Sequence, residues 1–326
     1  MDDAEFEDLR RSSFGIAYRM LGSVSEAEDV LQEGFLRLHG AREAGERIES
    51  PRAYLSTVIS RLALDQLRSA RSRRESYVGE WLPEPLVASD DDPARRVEMA
   101  DSLSMAFLVL LESLSPEQRA VFLLREVFDE PYDHIANVIG TSEQNARQLA
   151  ARARRHVAER RPRFKASRKQ REQLANRFFA AVAHGDLEGL ENLLAHDVVM
   201  RTDGGGKVPA IDRPVHGRSR VARTLVTGWR ATAQVEGLTS QMKEVNGQPG
   251  ALFFDGDGGL LAVMILEVAE GQIQSVSSVA NPDKLRHLGP LADLDALLQK
   301  RMRDRADPEA SARPSARSRA PEDRSC

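Results

Sequence analysis

One stretch of the chain concentrates arginine and glutamine at helical spacing. Between Arg147 and Arg171 nearly every charged residue is positive, Glu159 being the exception. If this stretch is helical, its polar and basic side chains share one face, and alanines, Leu149 and Val157 share the other. Arginine and glutamine read guanine and adenine edges in pairs of hydrogen bonds, and arginines also neutralise phosphates. The candidate DNA-binding residues are Gln144, Arg147, Gln148, Arg152 and Arg155. The alternative is a solvated basic face without a ligand.

A second motif, from Asp203 to Lys207, places three glycines between a carboxylate and an amine. Such a run is typical of a turn, because glycine tolerates positive φ angles. It is not a phosphate-binding P-loop, because the required spacing and the hydroxyl residue are missing. No His/Asp/Glu group has the spacing of metal ligands, so we expect neither a metal nor a cofactor.

The elements that must position the basic face are helices with clear start signals. Ser115-Pro116-Glu117-Gln118 predicts a capped helix start, and a short helix is expected from Pro131 to Ile139. Gly140 ends that helix, and Thr141–Gln144 offers a second capping box. A short helix, a glycine turn and a longer helix form a helix-turn-helix, whose second helix enters the major groove.

The remaining chain divides into three kinds of sequence. Residues 5–76 show helical spacing of apolar residues, with Ser50-Pro51 as a helix start. Residues 77–93 contain closely spaced prolines and an acidic run, which are typical of a linker. From about residue 170, two helical patterns precede alternating stretches at 198–201, 250–254, 260–268 and 273–279, which predicts an α+β domain.

Composition limits the classes of protein to consider. The chain has 326 residues and a formal net charge of −4, which argues against a simple histone-like DNA coat. Its one cysteine is Cys326, so no internal disulfide is expected. The acidic start, with Asp2, Asp3 and Glu5, does not resemble a signal peptide, and apolar runs are too short to span a bilayer. We therefore expect a cytoplasmic protein without a membrane association.

The motifs together resemble those of extracytoplasmic-function (ECF) sigma factors of bacterial RNA polymerase. The segment Ala17–Gly22 followed by Ala27–Leu38 resembles region 2.1–2.2 of that family, and Arg61–Arg71 resembles region 2.4. Region 4 is resembled by Leu114–Arg119 together with Ile135-Ala136 and Ala151–Arg154. These matches keep their order and spacing over about half of the chain.

The C-terminal half is similar to the SnoaL-like branch of the NTF2-like cone fold, which one subgroup of these sigma factors carries. The opening helices up to Leu194, followed by Asp197-Val198-Val199, carry that similarity. The marker motifs of the subgroup are present as Trp81–Pro85, Asp203–Lys207 and Asn281–Leu285. The expected fold is therefore multidomain: two all-α sigma domains and an α+β SnoaL/NTF2-like cone. The expected boundaries are 1–76 (region 2), 77–93 (linker), 94–165 (region 4), 170–300 (cone) and 301–326 (disordered tail).

The resemblance implies roles for individual residues. Asp29, Gln32 and Glu33 match the motif that docks on the β′ clamp coiled coil, and the β flap is a further expected contact. Promoter DNA at the −10 element is expected on the helix from Tyr54 to Arg74, and the −35 element on the helix-turn-helix. The expected −10 contacts are Arg61, Arg68, Arg71 and Arg74, with Arg73 supplying further charge. Asp65 either touches a base or pairs with a neighbouring arginine. The loop from His39 to Glu49 is expected to form the wall of a base pocket.

Three interpretations of the cone domain compete. In the first, Asp203 or Asp197 serves as an acid–base carboxylate of a polyketide-cyclase-like enzyme. In the second, the cone binds an unknown small molecule as a sensor. In the third, which we favour, the domain is not an enzyme and regulates the sigma module by contacting the linker. The residues expected at that contact are Trp81, Pro83, Asp203, Gly204, Lys207, Asn281, Asp283 and Lys284. A repressor-type regulator, which binds DNA without polymerase, is the main alternative for the whole chain.

Overall fold

The computed structural model describes residues 3–75, 77–87, 103–158 and 167–293, with the backbone alone for 70–75. The predicted linker residues 88–93, the predicted start of the second helical domain at residue 94, its predicted end at 165 and the tail at 301–326 lie outside that range. Within it, no helix is long and apolar enough to cross a bilayer, and no group of three or more potential ligands could hold a metal ion.

The N-terminal part folds into three helices: α1 (Asp3–Leu21), α2 (Val24–Glu43) and α3 (Pro51–Glu75). Gly22, at a φ of +69°, turns the chain sharply between the first two helices. Ser23 caps α2 by accepting a hydrogen bond from the backbone of Glu26. The predicted loop from His39 is wrong at its start, because α2 continues to Glu43 before the chain leaves the helix.

The second helical part contains α4 (Met105–Leu111), α5 (Pro116–Glu126), α6 (Tyr132–Ile139) and α7 (Glu143–Ala158). The predicted capping box of Ser115 and Gln118 is present at the start of α5. Gly140 ends α6 in the left-handed conformation, at φ +71° and ψ +44°. Helices α6 and α7 with this turn form the predicted helix-turn-helix.

The two helical parts share one continuous hydrophobic core. Phe14 and Tyr18 of α1 belong to the same buried cluster as Phe107 of α4 and Phe122 of α5. The buried face of α7 joins the cluster through small residues, which let the helices approach closely. Its buried residues are Ala146, Ala150, Ala153 and Val157. The two helical parts therefore pack directly on each other and share buried side chains.

The C-terminal domain combines helices α8 (Arg168–His184), α9 (Leu187–Leu193) and α10 (Arg218–Thr232) with a six-stranded sheet. The strands are β1 (Leu194–Asp203), β2 (Val215–His216), β3 (Thr239–Val245), β4 (Gln248–Phe254), β5 (Leu260–Ala269) and β6 (Gln272–Val279). Their order is β2-β1-β6-β5-β4-β3, and β1 and β6 are parallel while the other neighbours are antiparallel. The predicted α+β class is confirmed.

The two faces of this sheet are covered differently. Helices α8, α9 and α10 pack on one face through a core that includes Phe178 and Leu225. On another part of the sheet, Leu82 of the linker and Met105 of α4 join a cluster with Val263 and Ile265 of β5. The helical part and its linker thus supply side chains to the core of the C-terminal domain.

Candidate functional site

The face of α2 predicted to bind polymerase is exposed. Asp29, Gln32 and Glu33 all face solvent, and Glu33 pairs with Arg37 one turn later at 2.7 Å. Leu36 lies on the same face, three residues after Glu33, and is 59% exposed. An exposed leucine beside carboxylates is a surface that a partner with apolar and basic groups can cover.

The arginines predicted to contact the −10 element lie on α3, and two of them contact the second helical part. Arg61 donates to the backbone oxygen and the side-chain oxygen of Asn137 on α6, at 3.0 and 2.9 Å. Arg68 pairs with Glu117 of α5 at 3.0 Å and with Asp65 at 3.3 Å. The side chains of Arg71, Arg73 and Arg74 lie outside the described residues. Two of the side chains predicted to contact DNA, Arg61 and Arg68, therefore bind other residues of the same chain.

Further contacts hold α3 against α6. Ser56 donates to Glu130 at 2.8 Å, and the Thr57 hydroxyl lies 2.8 Å from Nε2 of His134. His134 in turn lies 2.8 Å from Glu130 through its other ring nitrogen. The face of α3 that is predicted to meet DNA is thus lined by the helix-turn-helix itself.

The outer face of α7 carries the residues predicted to read the −35 element, and it is open. Gln144, Arg147, Gln148, Arg152 and Arg155 are all exposed. Arg147 pairs with Glu143, and its guanidinium lies 4.9 Å from the centre of the Tyr132 ring. The predicted division of α7 into a buried alanine face and a basic outer face is the observed one.

Four of the predicted regulatory residues, Trp81, Asp203, Asn281 and Lys284, meet at a cluster that we call the linker clamp. Tyr77 and Leu82 of the linker, which were not predicted, complete it. Its centre is Asp203, whose side chain is fully buried. One carboxylate oxygen accepts from the Tyr77 hydroxyl at 2.6 Å and from the backbone of Gly205 at 3.0 Å. The other accepts from the backbone of Leu82 at 2.8 Å and from Lys284 Nζ at 2.6 Å.

Lys284 closes the linker clamp from the opposite side. Its ammonium also donates to the carbonyl of Leu82 at 2.5 Å. The same Nζ lies 4.1 Å from the centre of the Trp81 ring and 4.8 Å from that of Tyr77. The Asp203 carboxylate neutralises the buried ammonium, and the faces of the two rings attract it further, which makes its burial tolerable.

The other predicted residues surround the linker clamp. Asn281 donates to the Tyr77 hydroxyl at 2.7 Å, and Lys207 pairs with Asp283 at the exposed edge. Gly204 has no room for a side chain, because an added Cβ would lie 2.2 Å from the carbonyl oxygen of Val208. Pro83 is buried, and an added Cβ at Gly22 would approach it to 3.5 Å.

The linker is also held by the first helical part. Glu84 accepts hydrogen bonds from the backbone of Val24 at 2.7 Å and from the Ser23 hydroxyl at 2.8 Å, so its carboxylate lies at the N-terminus of α2. The backbone of Glu84 donates to Gly22, and its carbonyl accepts from the Tyr18 hydroxyl. Trp81 packs against Gly22, whose added Cβ would lie 2.9 Å from the ring. Trp81 therefore touches the first helical part as well as the C-terminal domain.

A second contact between the domains was not predicted. Asn246, in the turn between β3 and β4, donates to the Tyr18 hydroxyl at 2.8 Å and to the carbonyl of Leu103 at 3.0 Å. Its side-chain oxygen accepts from the backbone of Leu86 at 3.0 Å. The Asn246-Gly247 pair is a hairpin signal in the sequence, but the sequence does not say what the turn contacts.

Burial shifts the acidity of both tyrosines at these contacts. Burial raises the pKa of Tyr77 well above 10.0, and the hydrogen bond to Asp203 and its negative charge raise it further. Burial likewise raises the pKa of Tyr18, against a smaller lowering effect of the hydrogen bond from Asn246. Both hydroxyls therefore stay protonated donors throughout the physiological pH range.

Comparison with known proteins finds family matches for the two helical parts and relatives that match most of the chain. Residues 6–73 match the family model for sigma-70 region 2, and residues 104–157 match that for sigma-70 region 4. The ECF RNA polymerase sigma factor SigJ of Mycobacterium tuberculosis is 39% identical over 293 residues, which cover 87% of this chain and 93% of SigJ. A probable ECF sigma factor of that species, SigI, is 36% identical over 272 residues, or 83% of this chain and 90% of SigI.

The fold agrees as well. The crystal structure of SigJ from Mycobacterium tuberculosis superposes with a TM-score of 0.72 at 37% sequence identity. The superposition covers 89% of this chain and all of the SigJ chain. The shared architecture thus extends through both helical parts and the sheet domain.

Proposed function

On the premise that this chain belongs to the ECF family of RNA polymerase sigma factors, as its similarity to SigJ shows, we propose how its parts act. Its function as a promoter-recognition factor follows from the family and from sigma-70 regions 2 and 4. We propose which residues perform each step and what the C-terminal domain does. The C-terminal domain restrains the sigma module by holding its linker.

Polymerase binding is assigned to the exposed face of α2. Asp29, Gln32 and Glu33 offer carboxylates and an amide to the β′ clamp coiled coil, and Leu36 supplies apolar area beside them. Charged groups of this kind steer association and fix orientation, and an apolar side chain adds affinity when the partner buries it. The β flap is the expected partner of the region 4 part.

Promoter contacts are assigned to one face of α7, which is exposed, and to one face of α3, which contacts other parts of the chain. The outer face of α7, from Gln144 to Arg155, is open to −35 DNA. The corresponding face of α3 is engaged, because Arg61 and Arg68 contact Asn137 and Glu117. Binding of −10 DNA by these arginines requires that region 4 first move away from α3, so the observed arrangement is a restrained state.

The observation that carries this proposal is the linker clamp. Asp203 and Lys284 hold the backbone of Leu82 from both its N–H and its carbonyl side, while Glu84 ties the next residues to α2. The segment from Leu82 to Glu84 is thus held between α2 and the C-terminal domain. The same domain contacts the start of the region 4 part at Leu103 and Met105, so regions 2 and 4 stay packed together. Releasing the linker clamp should therefore favour the separated, DNA-competent state.

Catalysis by the C-terminal domain is not part of the proposal. Asp203 receives four hydrogen bonds and is fully buried, so it has no free position for a substrate proton. Asp197 is exposed on β1 and does not line the cavity of the domain. Neither carboxylate that the sequence offered for acid–base chemistry is placed for it.

The test is run-off transcription with purified core polymerase on a promoter selected from random-sequence templates. Lys284→Met removes the ammonium from the linker clamp, and we expect transcription to rise several-fold because the restrained state is destabilised. Lys169→Met, at an exposed lysine of α8, is the matched control. Unchanged or reduced transcription by Lys284→Met would argue against restraint.

Three further measurements keep that result interpretable. A double variant, Asp203→Leu with Lys284→Met, removes both buried charges and should also release the linker without leaving one unpaired. Thermal unfolding of each variant shows whether the chain still folds. Capture of the β′ subunit by the wild-type chain separates a sigma factor from a repressor, which would bind DNA without polymerase.

A further inference from the structure

Tyr132, the first residue of α6, lies close to arginines of two neighbouring helices. The guanidinium of Arg147 on α7 lies 4.9 Å from the centre of the Tyr132 ring, and that of Arg125 on α5 lies 5.3 Å from it. Cation–π attraction acts up to about 6 Å from a ring centre, so both arginines are within its range. The ring is partly buried against the core of the helical parts. Tyr132 thus joins three helices at the edge of the exposed basic face.

Arg125 is also anchored by groups other than the ring. Its Nη1 donates to the carbonyl of Glu130 at 3.0 Å and pairs with Asp129 at 3.0 Å. Both acceptors lie in the turn between α5 and α6, where Asp129 has a φ of +52°. Arg125 therefore ties the start of α6 to the end of α5, and α6 presents the Tyr132 ring to α7 from a fixed position.

Arg147 is held by two contacts and still remains open to solvent. It pairs with Glu143, one turn earlier on α7, and its guanidinium lies near the Tyr132 ring. Its side chain is 53% exposed. Ordering a long, flexible side chain on binding costs free energy unless its neighbours have already fixed it. The two contacts therefore reduce the cost of ordering Arg147 against a ligand.

This preparation distinguishes Arg147 from the other arginines of the same face. Within the part of the chain that the structure describes, Arg152 and Arg155 contact no aromatic ring. An arginine discriminates guanine by two parallel hydrogen bonds, which depend on the orientation of the guanidinium plane, whereas a phosphate contact depends mainly on charge. Arg147 is therefore the arginine of this face that is best prepared to read a base.

We propose that Tyr132 is a positioning residue for promoter recognition, whose ring holds the Arg147 guanidinium in the orientation that reads one guanine of the −35 element. This inference rests on the proposed function, because it requires that Arg147 contact promoter DNA. A ring contact can orient the guanidinium while leaving N–H donors available for the edge of a base. Tyr132 itself contacts no base and acts through Arg147.

The test measures base preference in the −35 element. Core polymerase carrying the full chain is bound to the selected promoter and to templates with each single base-pair change in that element. Arg147→Ala should lose discrimination at one G·C pair. Tyr132→Leu removes the ring and should lower discrimination at the same pair by about two- to fivefold. Tyr132→Phe keeps the ring and should retain most of the discrimination, which makes it the matched control.

A double variant separates positioning from a general loss of structure. If the ring acts through Arg147, adding Tyr132→Leu to Arg147→Ala should change nothing further at that base pair. The ratio of affinities for two templates is also independent of the fraction of the chain that is folded.

Three results would overturn the inference and leave Arg147 as a DNA contact: wild-type discrimination by Tyr132→Leu, equal losses in Tyr132→Leu and Tyr132→Phe, or a loss spread evenly over the −35 element. Unchanged discrimination by Arg147→Ala would instead contradict the assignment of Arg147 in the proposed function, and the inference with it.

Discussion

At the scale of single residues, the Asp203 carboxylate joins distant parts of the chain. Its four donors are Tyr77, Leu82, Gly205 and Lys284, which belong to the linker, the glycine loop and the end of the sheet domain. A carboxylate so fully bonded positions other groups and has no oxygen lone pair left for a further donor. Tyr77 is the donor whose state can be followed by spectroscopy.

Tyr77 gives a prediction about alkaline pH. Its raised pKa means that the protonated form is favoured in the folded chain, so its contribution to stability is complete below pH 10 and is lost as the pH rises above that value. Absorbance at 295 nm, compared between wild type and Tyr77→Phe, should show a missing ionisation step well above pH 10. Tyr77→Phe should also lower the free energy of unfolding at pH 7 by about 1–3 kcal/mol, because the buried Asp203 carboxylate loses a donor.

The control for this titration is Tyr54→Phe, which removes a tyrosine far from the linker clamp and calibrates the absorbance of one phenol. A missing step at pH 10 in Tyr77→Phe would show that the Tyr77 hydroxyl is not held by Asp203.

Residue-level contacts were only partly predictable from sequence. The marker motifs identified Asp203, Lys284 and Trp81 as candidates for one contact, and the structure brings them together. Tyr77, Glu84 and Asn246 were not predicted, because each acts through a hydrogen bond to a residue far away in the chain. Asn246 and Tyr18, for example, are separated by 228 positions. No periodicity or local spacing encodes such a pair.

At the scale of elements, α2 presents a mixed acidic and apolar face that nothing within the described residues covers. Leu36 is 59% exposed on this face, one turn after Glu33, which pairs with Arg37. Protein–protein interfaces often combine an apolar core with a polar rim, and this face offers both.

Leu36→Ala should therefore weaken binding to core polymerase by about tenfold, since truncation removes a buried apolar contact of the complex. The measurement is a titration of fluorescently labelled core polymerase with the purified chain. Leu187→Ala, at a leucine of α9 that is 40% exposed, is the matched control and should bind as the wild type does. Equal affinity of the Leu36 and Leu187 variants would remove α2 from the proposed interface.

Elements with strong local signals were predicted, and elements without them were not. The capping box at Ser115 and the end of α6 at Gly140 each depend on a few neighbouring residues, so they could be predicted from the sequence. Strand β3 was not predicted, because it lies at the edge of the sheet and most of its residues are exposed and polar. Helix α10 was not predicted either, although Val221, Ala222, Leu225 and Val226 form a buried face at helical spacing.

At the scale of the molecule, regions 2 and 4 are joined by a buried arginine. Arg119 of α5 donates through Nη2 and Nε to the carbonyl of Arg19 on α1, at 2.9 and 3.2 Å, and pairs with Glu112. Its side chain is 2% exposed. A guanidinium buried at the contact of two helical parts makes their packing depend on hydrogen bonds as well as on apolar area.

Arg119→Met should lower the free energy of unfolding by about 3–5 kcal/mol, because the Arg19 carbonyl and the Glu112 carboxylate each lose a buried charged donor. We expect thermal unfolding, followed by circular dichroism, to split into separate transitions for the helical parts. Adding Glu112→Gln should recover part of the loss, because the amide needs a cationic partner less than the carboxylate does. A single transition at the wild-type temperature would show that Arg119 does not join them.

The linker clamp joins residues that are made at different times. Leu82 and Lys284, which it brings within 2.5 Å, are separated by 202 positions. At about 5–20 residues per second, a ribosome needs roughly 10–40 s to travel from one to the other. Each nascent chain therefore completes both sigma regions before Lys284 is made. The proposed restraint cannot act on the nascent factor until that lysine has been added.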